Sequence, residues 1–176
     1  MERKKKMEQI QIEQTYDMAS LTALCRVARK TVRTVARVVR GICWCILALD
    51  AVLTVLLIAM GGMPDVWMWA VLAALVLLLL SEDRLNAWIA KSQLVPGTAH
   101  SVTVFTEDDY TVTTDAAVTR MDYGNITCLC ETERYFMLFL GKKHGQVFDK
   151  QGFQSGDPDA FRALLEKKTG KTFRKV

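Results

Sequence analysis

The chain has 176 residues, 51% of them hydrophobic, and a net charge of +4. Its apolar residues are concentrated in two stretches, 42–60 and 66–80, which excludes a wholly soluble protein. The charge is also uneven: residues 1–41 carry a net charge of +6, residues 42–96 carry −2, and residues 97–176 carry zero. A nucleic-acid binder would concentrate positive charge on its folded module, so the neutral C-terminal region argues against a nucleic-acid partner.

The N-terminal segment, residues 1–41, contains a basic stripe. The stretch Met18–Arg40 has no Pro or Gly, which predicts a helix that runs into the membrane at Gly41. At 100° per residue, six cations fall within an arc of about 100° on this helix. They are Arg26, Arg29, Lys30, Arg33, Arg37 and Arg40. We interpret them as a lipid-binding stripe lying on anionic headgroups, with Gly41 as the bend into the bilayer. The alternative is that these charges only fix the topology.

Residues 42–81 predict a transmembrane helical hairpin. The first stretch is long enough to cross about 30 Å of hydrocarbon as a helix, and the second gives a comparable span when it is counted from Met63 to Ser81. Between them lies the turn sequence GGMPD, residues 61–65. Ten Lys and Arg residues precede the first helix and none lies in the turn. Because cytoplasmic flanks carry the positive residues, we expect a multi-pass protein of the cell (inner) membrane with both termini in the cytoplasm.

Asp50 is the one ionisable residue deep within either predicted span. Such a residue is a candidate functional site by default. We favour a protonated carboxyl or a contact to a second copy of the chain, which makes a homo-oligomer a candidate assembly. The alternative is a small oligomeric channel or transporter component that uses Asp50, although ion pathways normally need several polar residues.

The remaining sequence predicts a juxtamembrane helix and a β-rich module. Residues 82–96 continue the second span as a polar helix, and Pro96-Gly97 ends it. Over residues 97–176 the apolar residues recur at every second position, which predicts about six short antiparallel strands. A final helix begins after Asp157 and ends before Gly170, with Phe161 on its apolar face. The predicted fold class is therefore an α+β membrane protein, with a hairpin followed by a small sheet that a C-terminal helix caps.

The cysteine pattern and the absence of common motifs argue against a metal site and against catalysis. Five cysteines, an odd number, lie in or beside apolar segments, which argues against a disulfide framework. Cys128 and Cys130 have no third or fourth ligand at a suitable spacing, so we expect core residues and no metal site. The sequence has no Walker loop, dinucleotide-binding glycine motif, HExxH or GxSxG. We therefore expect a protein with no catalytic residues and no cofactor.

Several residues of the C-terminal region resemble a known family. They are Tyr123, Ile126, Glu131, Tyr135-Phe136, Asp149-Lys150, Phe153, Gly156-Asp157 and Phe161. With the order of the predicted elements, this pattern resembles the YcxB-like family of small bacterial membrane proteins. The resemblance implies two transmembrane helices followed by a cytoplasmic pleckstrin-homology-like (PH-like) domain. The resemblance implies an architecture but no enzymatic reaction.

These features together predict a non-enzymatic, membrane-tethered interaction module at the inner face of the membrane. Its expected partners are the anionic headgroups of the lipid bilayer and an unidentified protein. A protein segment could pair with an exposed sheet edge, and a lipid headgroup could bind near the mouth of the sheet.

The topology can be tested with single cysteines in a chain whose native cysteines are replaced. A cysteine at position 62, in the predicted turn, should react with an impermeant maleimide in sealed cells. A cysteine at position 155 should react only after permeabilisation. Labelling of position 155 in sealed cells would overturn the predicted arrangement.

Overall fold

The computed structural model describes residues 9–141 and 144–176; residues 1–8 of the predicted N-terminal segment lie outside the described residues. The helices are α1 Met18–Thr31, α2 Thr34–Ala59, α3 Val66–Ser92 and α4 Pro158–Thr169. The strands are β1 Ile10–Thr15, β2 His100–Phe105, β3 Asp109–Thr114, β4 Val118–Asp122, β5 Cys128–Glu131, β6 Tyr135–Phe139, β7 Gly145–Asp149, β8 Phe153–Ser155 and β9 Arg174–Lys175. We call the strands together with α4 the β module.

The strands form two sheets rather than one. One has the order β4-β3-β2-β1-β8 and the other the order β7-β6-β5-β9. The α+β fold class is confirmed, with two long apolar helices followed by antiparallel sheets and a C-terminal helix. The six predicted strands are β2 to β7, and the structure adds β1, β8 and β9. These three were missed because they are short or contain few apolar residues.

Strand β1 changes the boundary of the β module. It pairs antiparallel with β2, and the register runs from Ile10 opposite Phe105 to Thr15 opposite His100. The β module therefore does not consist of residues 97–176 alone, because it includes a strand from the predicted N-terminal segment. The whole helical hairpin lies in the chain between two neighbouring strands of one sheet.

Helix α1 packs on the outer face of the second sheet. Val27 and Ala28 are buried against side chains of β6 and β7, including Met137 and Val147. The opposite face of β6 contributes Phe136 and Leu138 to the main core. Every residue of β6 is therefore buried, as expected for a strand covered on both faces.

The predicted continuous helix from Met18 to Arg40 is wrong. Helix α1 ends at Thr31, and Arg33 has a non-helical backbone with φ −94° and ψ 70°. The chain bends here because the apolar face of α1 is held against the sheet, whereas α2 leads away from it. Gly41 lies inside α2 and is not the bend.

Helices α2 and α3 are each long and apolar enough to cross a membrane. The candidate spans are Val35–Ala59 and Val66–Ser92, and only 11% and 0% of their most apolar windows are buried within the chain. A row of exposed Leu, Val, Ile and Trp side chains of this length would be unfavourable in water. A hydrocarbon environment would cover it.

The core of the β module lies between the two sheets and is closed at one end by α4. Asp157 caps this helix by accepting hydrogen bonds from the backbone N–H groups of Asp159 and Ala160. Phe161 is fully buried, with its ring centroid 4.8 Å from that of Phe105 and 5.5 Å from that of Phe153. The predicted packing of the C-terminal helix is thus confirmed.

Removing the Phe161 ring should destabilise the β module. Phe161→Ala is expected to lower the free energy of unfolding by about 3–5 kcal/mol, because it leaves a cavity between four aromatic neighbours. The measurement is urea unfolding of the full chain in detergent, followed by near-UV circular dichroism. Lys167→Ala, on the exposed face of the same helix, is the control and should have little effect. Equal stability of the two variants would contradict this account.

Candidate functional site

Ion pairs fasten α1 and α2 to the polar end of α3. The guanidinium of Arg29 donates to both carboxylate oxygens of Asp83, at 2.9 and 2.7 Å. Arg40, near the start of α2, donates to Glu82 at 2.8 Å. The bidentate contact between Arg29 and Asp83 fixes the orientation of α1 and α3 as well as their distance. We call the place where α1, the start of α2 and residues 81–92 of α3 meet the junction.

The six cations of the predicted stripe fall into a paired group and an exposed group. Arg29, Arg40 and Arg26, whose Nε lies 3.7 Å from Asp83, belong to the junction. Lys30, Arg33 and Arg37 are exposed and form no ion pair with another described residue. The stripe does not lie on one helix, because the bend at residues 32–33 interrupts it. Nor can the apolar face of α1 lie in a bilayer, since it packs on the second sheet.

Asp50 lies on the side of α2 that is turned toward α3. It is half-buried, and the most buried residues near it on α2 are Leu47 and Thr54. The hydroxyl of Thr54 donates to the backbone carbonyl of Asp50 at 2.8 Å. The half-buried residues of α3 within its apolar stretch, such as Leu72 and Val76, are apolar. The described part of α3 thus places no polar residue opposite Asp50, where a pathway would need several, and a channel stays a prediction.

The cysteines of β5 are neighbours. The Sγ atoms of Cys128 and Cys130 are 3.7 Å apart, as expected for alternate residues of one strand. Burial beneath α1 raises the pKa of the Cys130 thiol to about 12, so this thiol stays protonated at neutral pH. No group of three or more His, Cys, Asp and Glu side chains in residues 9–141 and 144–176 is arranged to hold a metal ion.

A buried carboxylate that no sequence pattern marks as part of an ion-pair cluster lies at the end of β5. Glu131, which is 6% exposed, accepts from Lys150 at 2.6 Å and from Arg162 of α4 at 2.7 Å. Both cations also lie over the ring of Phe136, at 4.9 and 5.8 Å from its centroid. The Arg162 guanidinium, with help from Lys150, holds the pKa of the Glu131 carboxyl below its usual value. The cluster attaches α4 to the second sheet.

One candidate binding site is a cavity of about 830 Å³ between the helices and the strands. Its helical side is formed by α1 and the end of α3, with Leu24 and Ala90 among the lining residues. Its strand side is formed by β2, β3, β4 and β7, where Ser101, Thr114 and Gln146 line it. No local sequence pattern predicts this cavity, because its lining residues come from distant parts of the chain.

The Glu131 cluster predicts a pH-dependent contribution to stability. A carboxyl with a lowered pKa stabilises the fold above its unfolded pKa of about 4.3, and this contribution is lost as the pH falls through the folded value. Glu131→Gln should therefore cost about 1.5–3 kcal/mol at pH 7 and progressively less below about pH 4. Urea unfolding across this range measures the difference. Glu133→Gln, an exposed neighbour, is the control, and a pH-independent cost for Glu131→Gln would contradict the assignment.

Comparison with known proteins bears on the β module. Residues 105–165 match the family model described as YcxB-like protein. The match runs from the end of β2 into α4 and includes Glu131, Lys150 and Phe161. Comparisons with curated proteins and with solved structures give no significant match. Residues 105–165 are thus similar to the YcxB-like family, and the two apolar helices are consistent with a membrane protein.

Proposed function

We propose that the chain is a membrane-anchored, non-enzymatic interaction module that binds a protein or lipid partner at the cytoplasmic face of a bacterial cell membrane. In this proposal α2 and α3 cross the bilayer, and both chain ends and the β module are cytoplasmic. The anchor holds the module, and the module recognises the partner.

The pairing of β1 with β2 carries this proposal. Because β1 precedes the helical hairpin and β2 follows it, two separate connections join the module to the two apolar helices. Arg29 and Arg40 add ion pairs between the helices at the junction. A module that is held in this way has a defined distance and orientation to the membrane, which suits recognition at the membrane surface and would be unnecessary for a flexible tether.

The arrangement of the β module supports a PH-like assignment. Strands β1 to β4 form an antiparallel meander, β5 to β7 form a second one, and α4 closes one end of the core between them. Domains of this shape present sheet edges and an open end to their partners. Exposed Lys30, Arg33 and Arg37 lie where anionic headgroups would meet the start of α2, and they would contribute electrostatic attraction to the surface.

The free edge of β4 is the surface best suited to a protein partner. Among the described strands, none pairs with the outer side of β4, and Val118 is 68% exposed. An unpaired edge offers backbone N–H and C=O groups to an extended segment of another protein.

In-cell photocrosslinking of the full chain tests the proposed function. A photoreactive amino acid replaces Val118 on the edge of β4, and a second variant carries it at Lys167 on the outer face of α4. We expect a discrete protein adduct at position 118 that is absent at position 167. A third variant with the group at Leu24 reports on the cavity, where a lipid adduct would give a small increase in mass. Identical patterns at positions 118 and 167, with no adduct at 24, would overturn the proposal.

A further inference from the structure

The cavity is the open end of the β module, covered by helices. The core between the sheets is closed by α4 at one end, where Phe105 and Phe161 meet. At the other end, Ser101 and Thr114 lie opposite each other on β2 and β3 and line the cavity. Helix α1 and the end of α3 form the remaining wall. The volume of about 830 Å³ is within the range of about 300–1,000 Å³ that is typical of small-molecule sites.

The two sides of the cavity differ in polarity. The side formed by α1 and the end of α3 presents apolar side chains, among them Leu21, Leu24 and Leu94. The side formed by the strands is mixed, with Ser101, Thr114 and Gln146 beside apolar residues such as Val112 and Met121. A ligand that is complementary to this lining is mostly apolar and carries a polar group where it meets Ser101 and Gln146.

A polar group on the strand side lacks a partner. The Oε1 atom of Gln146 is buried and has no hydrogen-bond partner among the described residues, while its Nε2 donates only to the Sδ atom of Met121 at 3.4 Å. Since buried polar groups in folded proteins are normally paired, a ligand with hydrogen-bond donors would complete this surface.

The charges around the cavity favour an uncharged headgroup. Among the described lining residues, Arg33 is the one with a permanent charge, and it lies exposed at the bend between α1 and α2. A phosphate or ammonium group beside Ser101 and Gln146 would be taken out of water, and no described residue beside them supplies a permanent counter-charge, which makes this costly. Hydroxyl groups can donate to Gln146 and to the serine and threonine oxygens without this cost.

The cavity also lies close to the apolar part of α3. Ala90 lines it, and the apolar stretch of that helix ends at Leu80, so the two are separated by about 15 Å along the helix. In the proposed topology, one acyl chain leaving the inner leaflet could span this distance. A lipid of the inner leaflet is therefore within reach as a source of an amphipathic ligand.

We infer that the cavity binds a single-chain, uncharged lipid with a hydroxylated headgroup, of the monoacylglycerol class. The headgroup lies at Ser101 and Gln146, and the acyl chain lies against α1 and the end of α3. This inference rests on the proposed function, because it names the lipid that the module binds.

Photoaffinity labelling of the full chain in phosphatidylcholine nanodiscs tests the inference. The probe is a monoacylglycerol with a diazirine in its acyl chain, present as a small fraction of the lipid. We expect adducts on the peptides that contain Leu24 and Ala90, and competition by unlabelled monoacylglycerol. Ala90→Trp, which fills the cavity, should reduce labelling at least fivefold. Ile89→Trp, on the exposed side of the same turn of α3, should not.

The headgroup is tested with Gln146→Met and a second competitor. Removing the carbonyl acceptor should weaken competition by monoacylglycerol by a factor on the order of ten. A fatty-acid methyl ester, which has no hydroxyl donor, should compete weakly against the unmodified chain and equally weakly against Gln146→Met. Near-UV circular dichroism verifies the fold of each variant; if Gln146→Met unfolds, the comparison of Ala90→Trp with Ile89→Trp decides.

Three results would overturn the inference: adducts confined to the apolar surfaces of α2 and α3, equal labelling of Ala90→Trp and Ile89→Trp, or equal competition by the methyl ester. Any of these, combined with a protein adduct at position 118 in cells, would leave the proposed function standing and remove only the lipid assignment. If the lipid assignment fails and no protein adduct forms at position 118, the proposed function is wrong as well.

Discussion

The structure depends on the pairing of β1 with β2 across the helical hairpin. Residues 16–99 lie between these two adjacent strands, so every hydrogen bond from Ile10 to Thr15 closes a very long loop. Loop closure of this length is entropically unfavourable, although its cost grows only slowly with length. The hairpin and α1 offset it by supplying contacts of their own, because α1 packs on the second sheet and its ion pairs hold α3 beside it.

Helix α1 has a double role that explains the bend after it. On one side, Val27 and Ala28 complete the burial of the second sheet, and on another, Arg29 reaches Asp83 of α3. A helix with both attachments cannot also lie flat on a lipid surface. The bend at residues 32–33 then lets α2 run beside α3, and it leaves Lys30 and Arg33 exposed next to the start of the apolar stretch.

The interior of the β module changes character from one end to the other. On the inward face of β2, Ser101 and Thr103 are followed by Phe105, so the strand is polar toward the helices and aromatic toward α4. The aromatic end is packed around Phe161 and held by the Glu131 ion pairs. The polar end retains a cavity. The packed core and the cavity thus lie at opposite ends of one small domain, so a ligand in the cavity would not have to disturb the packed core.

The sequence by itself determined the two apolar helices, six of the strands and the capped C-terminal helix, because hydropathy, alternation and capping residues such as Asp157 act over a few neighbouring positions. It also pointed to the YcxB-like family. Only the tertiary structure decided that Ile10 to Thr15 join the sheet, that the helix after Met18 bends before Gly41, and that half of the basic stripe pairs with α3. The cavity, too, was decided only by the tertiary structure. Each of these features depends on contacts between residues far apart in the chain, which no local sequence pattern predicts.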